Sequence, residues 1–190
     1  MKITKAQVQA NRARVVETAS ALFRERGYDG IGVADLMNAA GLTHGGFYKH
    51  FGSKADLMAE AAACGIAQTV AQTTGVDAAT FARHYVSRAH RDARATGCTM
   101  AALGGDAARQ PDAVRATFAD GIERLLAALG GTGGNRARIL DLVAHAVGAV
   151  VMSRACPDAS PLADEILTTC REAILASLDS SAPAPGATPP

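Results

Sequence analysis

Residues 43–57 read THGGFYKHFGSKADL: two adjacent glycines, three aromatic residues within five positions, then a helix-start signal. Ser53 followed by Asp56 three residues later is a capping-box pattern, so a helix begins near residue 54. Thr43 can cap a shorter helix that runs to about His50. On that short helix Phe47 and Phe51 stand at i, i+4 and share one face. They can pack inward on Leu36 and Val33, while Tyr48 points away, flanked by His44, Lys49 and His50. Gly45 and Gly46 each cost about 1 kcal/mol relative to alanine in a helix interior. What they gain is access, because a helix without Cβ atoms can approach another surface closely.

Working outward, the helical period continues in both directions. Upstream, Val33, Leu36, Met37 and Ala40 mark a short helix that Gly41 ends. Val15, Ala19, Leu22 and Phe23 mark a first helix over about 8–26 that Gly27 stops. Three short helices in about 50 residues, the second and third joined by Gly41 and Leu42 alone, predict a helix-turn-helix module. Downstream, the helix from Ser53 extends to about residue 73. Five more follow at roughly 77–95, 98–109, 111–129, 135–154 and 161–178. Pro111 and Pro161 sit well at first helical positions, and the glycine-rich stretch 130–134 is a break. The fold class is all-α with about nine helices. It comprises an N-terminal helix-turn-helix domain over 10–70 (the motif itself about 32–51), a helical domain over 71–178, and a Pro- and Ala-rich tail over 179–190 that reads as disordered.

Composition agrees. Of 190 residues, 48% are hydrophobic and only 4% aromatic, a mix that suits packed helices. Net charge is +1, so the whole chain shows no bias toward a partner. The distribution does. All four lysines (Lys2, Lys5, Lys49, Lys54) fall within the first 54 residues, and 1–14 hold no acid. That basic start fits a polyanionic partner or an ordinary solvated terminus. Cys64, Cys98, Cys156 and Cys170 form no C-x-x-C pair, which argues against a zinc ribbon or a dithiol site. The histidines His84, His90 and His145 lack i, i+4 histidine partners, so no metal site is expected, and no cofactor. No leader and no membrane-length apolar run is read, which makes the cytoplasm the expected compartment. No catalytic triad, carboxylate pair or phosphate loop stands at useful spacing, so the chain is not read as an enzyme.

Lys54 lies just inside a helix N-terminus, where a cation opposes the helix dipole. It is either a solvated lysine or part of an anion site that the helix end helps to build. At this point the stretch from Arg14 to Glu60 resembles the DNA-binding domain of the TetR family of transcriptional regulators. The residues that carry the likeness are Ala21-Leu22-Phe23, Gly27-Tyr28, Val33-Ala34-Asp35-Leu36 and Ala40-Gly41-Leu42, together with Gly45-Gly46-Phe47-Tyr48-Lys49-His50-Phe51-Gly52-Ser53-Lys54-Ala55-Asp56-Leu57. The resemblance implies that His44, Gly45, Gly46 and Lys49, with Thr43 beside them, face bases of double-stranded operator DNA. It implies phosphate contacts for Tyr48, His50 and Lys54. The family often carries Thr or Ser where the second helix begins. Here Gly30-Ile31-Gly32-Val33 supplies no hydroxyl, so that phosphate contact is not expected.

The rest of the chain matches the family in length and helical layout. On 135–154 the residues Ile139, Leu142, Val143, Ala146, Val147, Val150 and Val151 form an i, i+3, i+4 stripe, and the opposite side is also apolar, which predicts burial on two sides. The resemblance implies a homodimer through the last two helices. It also implies a repressor released from a palindromic operator by a small-molecule effector. Phe81, His84, Tyr85, Arg88, Met100, Phe118, His145 and Met152 are the candidate effector-pocket residues, each equally readable as core or surface. Cys98 opens a helix after Gly97. It is either a small buried hydrophobe or a redox site that would make the chain a thiol-based electrophile sensor. A degenerate helical ligand-binding protein without DNA activity is the remaining alternative.

Overall fold

The computed structural model describes residues 4–131 and 135–180. The expected tail lies, from residue 181 onward, outside the described residues. Every element among the described residues is helical. In chain order they are α1 (Lys5–Arg26), α2 (Val33–Ala39), a 3-10 helix (His44–Lys49), α3 (Lys54–Thr73), α4 (Ala78–Tyr85), α5 (Arg88–Asp92), α6 (Thr99–Ala107), α7 (Asp112–Gly130), α8 (Arg136–Ala155) and α9 (Pro161–Asp179).

The helix ends follow local chemistry. Thr4 caps α1 by accepting from Gln7 N, and Gly27 ends it at φ 76°, a left-handed conformation that suits glycine. Ser53 Oγ accepts from Asp56 N at 3.1 Å and opens α3. The single helix expected over 77–95 is two. Val86 leaves helical geometry at ψ 63°. Ser87 Oγ then donates to His84 O at 2.7 Å and accepts from His90 N at 3.2 Å, so this hydroxyl closes α4 and opens α5.

The described chain up to Thr74, together with Ala93–Ala128, makes one compact unit; Gly75–Asp92 with Leu129 onward makes another. In the first unit α1 lies against α2, α3 and α6. Its core runs from Val15, Ala19 and Phe23 on α1 through Leu36 and Met37 on α2 to Phe47, Phe51, Leu57 and Met58. Each of these side chains is almost fully removed from water, worth about 1.5–3 kcal/mol apiece for the larger ones. In the second unit α8 and α9 pair along their lengths, with α4 and α5 against them. Arg91 is fully buried there: it donates to Ser153 O, Ser153 Oγ and Cys156 O and pairs with Asp92 and Asp158. This guanidinium pins α5 to the end of α8 and the turn that follows.

Candidate nucleic-acid interface

The segment 43–50 is a 3-10 helix in place of the α-helical turn expected from the sequence. Its bonds run i to i+3, Gly46 N to Thr43 O and His50 N to Phe47 O, both at 2.9 Å. Two early glycines and a length of six residues favour the tighter winding over a nucleated α-helix. The inward–outward split holds. Phe47 and Phe51 are buried, with ring centroids 5.4 Å apart, whereas Tyr48 is 72% exposed. His44, Gly45 and Lys49 are exposed beside it, and His50 is half-buried. Thr43 occupies the N-cap position, but its side chain makes no cap hydrogen bond and stays exposed.

Gly45 is informative. It does not have a positive φ, and a Cβ added there would meet nothing within 4 Å. Neither the backbone nor the neighbours of this chain require glycine at that position. Gly46 is similar, with Met37 and Thr43 at ordinary contact distance. The segment from 43 to 50 also has no acid: the nearest in sequence are Asp35 and Asp56.

Two clamps fix this surface. Arg12 on α1 donates through Nε to His50 O at 3.3 Å, pairs with Glu60 on α3 and lies 4.9 Å over the Phe51 ring. Lys54 donates through Nζ to Tyr28 O at 2.6 Å and Ile31 O at 2.9 Å. Two of the three ammonium donors of Lys54 thus go to carbonyls of the loop between α1 and α2, so the side chain braces that loop as well as standing near the start of α3. From α6, Asp106 Oδ2 accepts from Tyr28 N at 3.3 Å and holds the same loop from the other side. Neither Arg12 nor Asp106 was legible in the sequence. Their partners lie dozens of residues away, and no spacing rule links them.

The candidate effector residues do not assemble into one site within either unit. Met100 and Phe118 are core side chains of the first unit. In the second, Phe81 and Tyr85 stack with centroids 4.9 Å apart. His84 is exposed, and Arg88 is engaged with Asp92 and Asp164. Met152 is 59% exposed and faces solvent. His145 borders a cavity of about 310 Å3 between α8 and α9 that Arg138, Asp141, Leu142, Ile174 and Leu178 also line. Cys98 is buried at the N-cap of α6. Burial, helped by the nearby Glu17 charge, pushes the Cys64 thiol above the ordinary value, although Arg24 acts the other way. No cluster of metal-ligating side chains occurs among the described residues, and no helix there is long and apolar enough to cross a membrane.

A short helix, a tight turn and an exposed, acid-free second helical segment braced on a third helix define a helix-turn-helix module. Residues 15–61 match the model of bacterial regulatory proteins of the tetR family. This chain is 40% identical over 55 residues to the HTH-type transcriptional regulator TtgR of Pseudomonas putida, which is 29% of this chain and 26% of that protein. It is 39% identical over 54 residues to the HTH-type transcriptional repressor KstR2 of Mycobacterium tuberculosis, 28% of this chain and 27% of that one. The match therefore spans about a quarter of the length of these curated relatives. The fold likeness extends further. The reduced form of E. coli NemR superposes with a TM-score of 0.70 over 87% of this chain and 95% of that one, at 17% identity. Over residues 15–61 the chain is thus similar to the DNA-binding domain of tetR-family regulators, and beyond that domain the likeness is one of fold.

Proposed function

We propose that this protein is a DNA-binding transcriptional repressor that lays the 43–50 surface into the major groove of a palindromic operator. The observation that carries this reading is Gly45, a glycine that the protein's own fold does not require, set beside an exposed Tyr48 in an acid-free segment. Such a position suits close approach by a groove edge. Thr43, His44, Gly45, Gly46 and Lys49 reach toward bases, and Tyr48 and His50 toward phosphates. Lys54 serves by holding the loop behind them. Residues 10–70 read DNA, and 71–178 receive an effector and form the dimer.

One such segment binds weakly, whereas two about 34–36 Å apart reach successive major grooves. Exposed Leu140, Val151 and Met152 on α8 and Leu162 on α9 support a homodimer through the last two helices. A small-molecule effector, contacted by His145, would act by binding more tightly to a dimer whose reading segments no longer match that spacing. The test is fluorescence anisotropy on the duplex upstream of the protein's own gene. The expected result is nanomolar-range binding that weakens steeply between about 50 and 200 mM salt as counterion release is lost. Absence of any salt-sensitive affinity overturns the proposal.

A second reading rests on Cys98, which lies at the start of α6 within the electrostatic reach of the buried Arg24. It makes the protein a thiol-based sensor of electrophiles. Wild type would then leave the operator under N-ethylmaleimide while Cys98→Ser stays bound; equal release by both defeats it.

A further inference from the structure

The first compact unit buries a cation without an anion. Arg24 on α1 is only 7% exposed. Its Nη1 donates to Gly97 O at 3.2 Å and to Gln68 Oε1 at 3.3 Å, and its Nη2 donates to the same Gln68 oxygen at 3.3 Å. These acceptors are neutral and the bonds are long. No Asp or Glu among the described residues forms an ion pair with Arg24. An unpaired charge out of water is among the costliest things a fold can hold, so buried charges are normally paired.

The surroundings supply further unpartnered polar groups and no carboxylate. The hydroxyls of Ser20 and Thr99, 2% and 1% exposed, and Arg24 Nε have no hydrogen-bond partner among the described residues. The two hydroxyls and the Arg24 guanidinium, through Nη1, converge on one face of Gly65 in α3. A Cβ placed there would come within 2.3 Å of Thr99 Oγ1, 2.8 Å of Ser20 Oγ and 2.9 Å of Arg24 Nη1. The same place is the start of α6, where the N-cap residue is Cys98 and the helix N–H groups receive no side-chain cap bond from it. The positive end of a nine-residue helix therefore adds to a guanidinium and two hydroxyls.

We propose that Ser20, Arg24 and Thr99, at the N-terminus of α6, form a binding site for a small monovalent anion of halide or formate size, which ties α1, α3 and α6 together. Water could satisfy the hydroxyls but would leave the guanidinium charge unbalanced. Burial pulls the Arg24 guanidinium below the usual arginine value, and the groups that favour its charge are the thiols of Cys64 and Cys98. An ionised thiol is thus the rival counter-charge. The close convergence on one glycine excludes a bulky oxyanion.

The experiment is thermal unfolding of the full chain in sodium chloride or bromide from about 1 to 100 mM, with sodium gluconate holding ionic strength constant. A ligand that binds only the native state raises the midpoint, here by about 3–8 °C across that range. Arg24→Met and, separately, Ser20→Ala with Thr99→Ala should abolish the rise; the second variant keeps the charge and guards against misfolding of the first. A bromide-soaked crystal should show an anomalous peak within hydrogen-bond distance of Arg24 and Thr99. Equal midpoints in all anions, or bromide only at surface positions, overturns the proposal. So does a thiolate absorbance at neutral pH that Cys98→Ser or Cys64→Ser removes.

Discussion

Phe47 and Tyr48 are neighbours with opposite tasks. Phe47 is fully buried, its ring centroid 5.1 Å from that of Tyr48 in an edge-on contact, while the Tyr48 side chain is largely exposed. Phe47→Ala should cost about 3–5 kcal/mol of stability, read in urea unfolding. Tyr48→Ala should leave stability within about 0.5 kcal/mol. It should weaken operator binding roughly three- to tenfold, the worth of one lost hydrogen bond, read by anisotropy. The i, i+4 spacing of Phe47 and Phe51 made this division legible in the sequence. Lys54 was not legible in the same way. Its position near a helix start suggested an anion, but the side chain bends back to two loop carbonyls, a choice made by tertiary packing. Lys54→Met keeps the stem and removes the ammonium. It should destabilise the fold by about 1–3 kcal/mol, and an unchanged salt slope for the remaining DNA binding would assign Lys54 to the loop alone, whereas a slope smaller by about one would assign it a phosphate contact.

Elements were read well where the apolar period was long and capped. The sequence boundaries for α1, α3, α7, α8 and α9 fall within a few residues of the structure. Those that failed were short and decided by one hydroxyl or one turn: the break at Val86 and Ser87, and the 3-10 winding of 44–49. The piece created by that break carries a titration. His90 on α5 is half-buried, and its Nδ1 donates to Tyr85 O at 2.7 Å. Burial, reinforced by the Arg154 charge, pushes its basicity below the ordinary value even though the Tyr85 bond acts the other way. As pH falls below about 6.5, the unfolded chain takes up a proton that the folded chain still refuses. Stability attached to neutral His90 is therefore present above that pH and lost below it, through the lowered folded value. Urea midpoints between pH 7.5 and 5 should fall in wild type and flatten in His90→Gln.

At the scale of the whole molecule the sequence showed that α8 is apolar on more than one side, but not which side stays inside the protomer. Leu142, Val143, Ala146, Val150 and Ile174 are buried in the single chain, whereas Leu140, Val151 and Leu162 are about half exposed. An aspartate substitution that tests the interface therefore belongs in the second group. Val151→Asp should halve the mass in light scattering and leave the helical circular dichroism intact. Ile174→Asp, by contrast, should unfold the second unit, because it places a carboxylate in a packed interior. A dimer mass retained in Val151→Asp moves the interface elsewhere. Effector residues were the least legible: an aromatic or histidine on a helix gives no sign of whether it meets a cavity, a core or water.

The Arg12–Glu60 pair has a further consequence for experiments. Its two side chains are 41% and 36% exposed, so salt screens it, and it holds Arg12 against the backbone of His50 at the edge of the reading surface. Raising ionic strength loosens this brace at the same time as it competes for the duplex. An ion tally taken from the logarithmic plot will then exceed the number of nucleotide linkages the protein touches. Glu60→Gln, which removes the screened pair, should bring the tally down to the true footprint.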